Sequence, residues 1–153
     1  MKCTQGFTLI ETVLVLALMA LLVGFVANSF SKLNANEALD KNVDLVVSVL
    51  NEARTMTLSS INDARYGVHL DMTQAVLFSG DTYTPNTASN VETSLNALVG
   101  VRNISLSGGG SEVFFNRLTG ATSQSGTFQI YLKNATTTYR TITVGATGII
   151  ERN

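Results

Sequence analysis

Few side chains in this sequence are equipped for chemistry. The 153 residues contain one histidine, His69, and one cysteine, Cys3. His69 falls in a stretch with strand character and has Asp71 two residues on, a spacing that puts both on one face of a strand. Catalysis or metal binding needs more converging groups than these, so His69 reads as a structural or surface histidine. Asp71, Asp81 and Glu92 lack the dense, regular oxygen spacing of a calcium loop. Serines and threonines abound, but there is no Gly-x-Ser-x-Gly elbow and no second His or Cys to serve as base. Gly108-Gly109-Gly110 has no following Lys and helix, unlike a phosphate-binding loop. The expectation is a protein that is not an enzyme, with no catalytic residue, no metal and no cofactor.

Glu11 is the residue whose placement is expensive. It is the only charge between Phe7 and Ala27, an apolar run of roughly 21 residues, about 31 Å as a helix and enough to cross a hydrocarbon core. A carboxylate inside such a span costs a few kcal/mol and rarely stands without a partner. One reading puts it near the helix end, reaching for the interface. The other supplies a mate, the free α-amino group of a neighbouring subunit's Phe7 after cleavage of the Gly6-Phe7 bond. A buried pair of this kind contributes register more than stability, and would set the stagger of subunits in a helical filament.

The order of segments fits that second reading. Lys2 and the polar hexapeptide MKCTQG precede the apolar run, whereas a secretory signal is cut after its apolar part and loses it. Cleavage after Gly6 would keep the run on the mature protein. The basic residue ahead of the helix, with few directly after it, favours a cytoplasmic N-terminus and an exported C-terminal part. Cys3 permits no intrachain disulfide and lies too early for a lipidated cysteine; removal of the leader would leave no thiol. The formal net charge is −1, with Lys and Arg scattered among acids, so no basic tract announces nucleic acid. Arg140 and Arg152, on neighbouring predicted strands, form at most a small patch for DNA, with Glu151 beside it.

Gly6-Phe7-Thr8-Leu9-Ile10-Glu11 resembles the GFTLIE class III signal of type IV pilins and pseudopilins. The resemblance implies cleavage between Gly6 and Phe7 by a membrane-bound prepilin peptidase, N-methylation of Phe7, and a filament-assembly role for Phe7 and Glu11. It also implies assembly with other pilins or pseudopilins on an inner-membrane platform.

The elements that would position these residues follow from periodicity. Leu39, Val43, Val46, Leu50, Ala53 and Thr57 recur at steps of four and three, one face of a helix. Asp40, Asp44, Ser48, Asn51, Glu52 and Arg54 fall between them, on the side expected to face solvent. The apolar helix is therefore expected to continue to about Ser59, with Gly24 and Asn28-Ser29 as candidate bends and Gly24 better read as a packing position. Beyond it, short runs rich in Thr, Val, Ile, Tyr and Phe predict antiparallel strands at 66–70, 75–79, 99–106, 112–116, 127–133, 138–144 and 149–152. Gly80 to Ser94, holding the sole proline, Pro85, reads as an exposed loop. Phe78, Tyr83, Phe114, Phe115, Phe128, Tyr131 and Tyr139 read as core packing rather than a base-stacking surface.

Helix first and then a meander of strands with one apolar face give an α+β fold, the sheet packed on the amphipathic half of the helix. The expected organisation is a leader at 1–6, a transmembrane and assembly helix at 7–27, its amphipathic continuation at 28–60, and a periplasmic β-rich domain at 61–153. Three further stretches resemble the GspH/FimT type of minor pilin-like proteins. They are Leu50-Asn51-Glu52-Ala53-Arg54; Val113-Phe114-Phe115-Asn116 followed by Gly120; and Tyr139 to Val144 with Gly148-Ile149-Ile150. Thr12 and Arg117 stand where that group varies, and the end Glu151-Arg152-Asn153 lacks the fuller basic tail of a DNA-binding member. The resemblance implies a minor pseudopilin of a type II secretion system, whose filament drives protein export and whose β-domain meets partner subunits or exported cargo. The alternative is a minor pilin of a type IV pilus, serving assembly priming, motility, adhesion or DNA uptake.

Overall fold

The computed structural model describes residues 6–153; the leader up to Gln5, with Lys2 and Cys3, lies outside the described residues. The chain divides into two compact units between Ala35 and Asn36. One helix, α1, runs Leu9–Leu58, and its helical assignment is unbroken through Gly24 and residues 28–29, the candidate bends.

Within the first unit, the stretch Leu9–Val26 has a mean hydropathy of 2.7 and none of it is buried. It is long and apolar enough to cross a membrane. Its side chains therefore have no intrachain core, and the second unit holds that core instead.

There the predicted helical stripe is fully realised. Leu39, Val46, Leu50, Ala53 and Thr57 have no exposed surface and Val43 has 2 %. Thr57 is tolerated in this stripe because its hydroxyl donates to the Ala53 carbonyl at 2.8 Å and accepts from the Tyr66 N–H at 3.0 Å. On the polar side, Arg54 departs from the expectation of a solvent-facing residue. It is half-buried, and its Nε donates to the Gly120 carbonyl at 3.2 Å.

Eight strands follow: β1 Tyr66–Leu70, β2 Gln74–Ser79, β3 Val91–Ser94, β4 Val99–Leu106, β5 Glu112–Phe114, β6 Gly126–Leu132, β7 Ala135–Val144 and β8 Ile150–Arg152. They do not make one meander. They form two four-stranded antiparallel sheets, ordered β3-β2-β1-β5 and β4-β6-β7-β8. The seven predicted strands are present within a few residues, and the loop expected over 80–94 contains an eighth at its end. That strand, β3, is mostly exposed. An edge strand with one paired neighbour buries too little to leave an apolar run in the sequence.

The passage from the first sheet to the second is fixed by a buried polar side chain. Asn42, 7 % exposed, donates from Nδ2 to the Ala38 carbonyl and accepts at Oδ1 from the Asn96 N–H at 2.9 Å. Val101 N–H then donates to the Met72 carbonyl at 3.1 Å, tying β4 to the β1–β2 turn. Val113 from one sheet, Phe115 just beyond the end of its β5, and Phe128, Ile130 and Ile142 from the other sheet are completely buried. The amphipathic half of α1 thus carries both sheets.

Candidate assembly site

The first turn of α1 is built by the motif itself. Thr8 precedes the helix and its Oγ1 accepts from the Glu11 N–H at 3.3 Å, while Thr12 N–H donates to the Thr8 carbonyl at 3.2 Å. Thr8 is therefore the N-cap and Glu11 the third helical residue, where a carboxylate also meets the positive end of the helix dipole. The Thr-x-x-Glu spacing is a capping-box signature, a signal that sequence reading had available and left unused.

Among the described residues nothing covers the side chains of this turn. Phe7 is 80 % exposed and Glu11 is exposed. Among the described residues no cation lies within ion-pair distance of the Glu11 carboxylate. A Cβ built on Gly6 would meet no atom within 4 Å. The described residues give no steric reason for glycine at position 6.

The other sequence candidates fall elsewhere in the second unit. Arg140 and Arg152 do come together, on paired β7 and β8. Each faces a carboxylate one turn apart on α1: Arg140 Nε lies 3.0 Å from Asp40, and Arg152 pairs with Asp44. Glu37 and Lys41 pair at 2.8 Å, and the hydrogen bond and charge of that ammonium hold the Glu37 carboxyl below its ordinary range.

His69 does not share its face with Asp71, because β1 ends at Leu70 and the Asp71 carboxylate turns to accept from the Met72 N–H at 2.7 Å. The acid facing His69 is its cross-strand partner Glu112, 3.7 Å away. Among the described residues no group of three or more His, Cys, Asp or Glu converges as metal ligands would. The aromatics divide: Phe78, Phe115 and Phe128 are core, whereas Tyr131 and the 44 %-exposed Tyr139 flank the Arg102 guanidinium, at 4.6 and 5.4 Å from their ring centres.

The family model for the prokaryotic N-terminal methylation motif matches residues 1–27. No curated protein matches the chain. Among solved structures, it is similar to the type IV minor pilin FimU of Pseudomonas aeruginosa, with 14 % identity and a TM-score of 0.58 over 77 % of this chain and 90 % of that one. It is also similar to the minor pseudopilin EpsH from the Type 2 Secretion System of Vibrio cholerae, with 13 % identity and a TM-score of 0.55 over 75 % and 95 %.

Proposed function

We propose that this chain, type IV pilin-like in fold and in its N-terminal motif, is a minor pseudopilin of a type II secretion system. Its work is assembly rather than catalysis. The observation that carries the reading is Glu11, an exposed carboxylate on an otherwise uncharged and wholly exposed apolar stretch, with no cation of its own chain beside it among the described residues. In hydrocarbon such a carboxylate demands a partner. Cleavage between Gly6 and Phe7 by prepilin peptidase creates one, the amino group of Phe7, on every neighbouring subunit. That amino group is N-methylated, and its pairing with Glu11 fixes the axial register. Among the described residues nothing crowds Gly6, which supports the same reading, since an uncrowded glycine is available to the peptidase.

The helix anchors the precursor in the bacterial inner membrane, N-terminus cytoplasmic and β-domain periplasmic, with the spans 1–6, 7–27, 28–60 and 61–153 as leader, anchor, amphipathic helix and periplasmic domain. Other pseudopilins and the inner-membrane assembly platform are its partners, and the β-domain offers the surface for sister subunits or exported cargo. A second reading, minor pilin of a type IV pilus, draws on the likeness to FimU.

A deletion strain separates the two. Exported enzyme trapped in the periplasm with surface pili intact supports the secretion pseudopilin. Normal export with pili, motility or DNA uptake lost assigns the chain to the pilus.

A further inference from the structure

The first sheet is covered on both faces. Val68, Leu70 and Val113 occupy the face turned to the helix, and strand alternation puts Val76 and Phe78 on the opposite one, yet these two are 0 % and 1 % exposed. The cover of Phe78 includes the 80–90 segment. Tyr83 stacks on His69 with ring centres 4.1 Å apart and planes 9° from parallel, and meets Phe78 edge-on at 5.7 Å. The remainder of the segment is exposed apart from Gly80 and Asn90. Gly80 N–H donates to the Arg65 carbonyl at 2.8 Å, and further on the hydrogen bonds are local: Thr87 Oγ1 and Asn90 Nδ2 both donate to the Thr84 carbonyl. Arg65, bonded to Asp81 at 2.9 Å, tethers its start. This is a strap with one aromatic fastener.

The fastener rests on an unsatisfied atom. Among the described residues, His69 Nδ1 is buried with no hydrogen-bond partner, 3.7 Å from the Glu112 carboxylate. We propose that protonation of His69 closes this strap: the imidazolium turns a charged N–H toward Glu112 and offers Tyr83 a cation–π contact in place of a neutral stack. Loss of the proton withdraws the cation–π contact, and the strap lifts more easily from Phe78.

The charged groups around His69 agree on the sign. Glu112 faces it from β5, and Glu92 on β3 stands at the same register level across Val76. Asp71 is engaged by the Met72 N–H, and Arg65 is held over the Phe114 ring and to Asp81. The nearest charge is thus an acid, Glu112, at 3.7 Å.

The test is strap opening in the full chain in detergent micelles, read from the loss of Tyr83–Phe78 ring proximity and from the Tyr83 ring shifts. The open population is expected to rise roughly twofold to fivefold from pH 5 to 8, the size of one cation–π contact at a partly exposed site. His69→Phe keeps a ring under Tyr83 but carries no proton, and should flatten the profile. A wild-type profile that is flat, or one that survives unchanged in His69→Phe, overturns the proposal.

Discussion

Arg54 donates from Nε to the carbonyl of Gly120, 66 residues later in the chain, at 3.2 Å. Gly148 closes against the same pair: a Cβ there would lie 1.8 Å from the Gly120 oxygen and 3.0 Å from Arg54 Nε. Late helix, β5–β6 turn and β7–β8 turn therefore meet at one point, where a guanidinium satisfies a turn carbonyl and a bare glycine permits the approach.

Gly148→Ala is expected to be among the most damaging single substitutions in the β-domain. The residue has φ +78°, which disfavours any side chain, and the added methyl collides with backbone rather than with a side chain that could swing away. A loss of roughly 2–4 kcal/mol follows, to be measured by urea unfolding. Gly109→Ala, with a similar φ but nothing within 4 Å of its Cβ, should cost only about 1 kcal/mol.

The three stretches that carried the minor-pilin resemblance contain Arg54, Gly120 and Gly148. Each was legible in the sequence as a string; their meeting was not, because it joins positions that no local periodicity relates. The helical stripe and seven strands were legible because period 3.6 and period 2 survive wherever one face is buried. The division into two sheets was not: β4 skips β5 to pair with β6, and that choice rests on long-range partners such as the Asn42–Asn96 bond. At the candidate site, Phe7 and Glu11 stood out as a charge within an apolar run, while the Thr8 cap was overlooked and the strap over His69 had no sequence signal beyond an aromatic in a polar loop.

Asn42→Leu should destabilise the β-domain by about 1–3 kcal/mol, the cost of leaving the Asn96 N–H without its acceptor. Asn42→Asp keeps the acceptor at Oδ1 and should recover much of the loss. The local sign is faster hydrogen exchange at the Asn96 amide in the leucine variant.

The Arg140–Asp40 and Arg152–Asp44 pairs are half-exposed, with side chains 39–61 % accessible. Removing either is expected to cost under about 1 kcal/mol and less in high salt. Their larger effect is on charge. With both arginines matched, the wild-type β-domain should bind duplex DNA weakly, whereas Asp40→Asn with Asp44→Asn should bind tighter and with a steeper salt dependence. Equal affinity in the two proteins, measured by titration of labelled duplex, would remove these arginines from any account of DNA contact.

Thr8 and Glu11 separate two roles that the motif combines. Thr8→Ala removes the cap and should cost the first turn about 1 kcal/mol, yet it leaves the carboxylate in place, so filament incorporation should fall only modestly. Glu11→Ala keeps the Thr8 cap, since Oγ1 accepts from a backbone N–H, and relieves the membrane of a charge; insertion and cleavage after Gly6 should proceed normally. Without a mate for the Phe7 amino group, however, incorporation should fail. Processing is read from the mass of the mature chain, and incorporation from its share in sheared filaments. Normal incorporation of Glu11→Ala would falsify the charge-pair reading and leave the carboxylate as a helix-end group reaching for the interface.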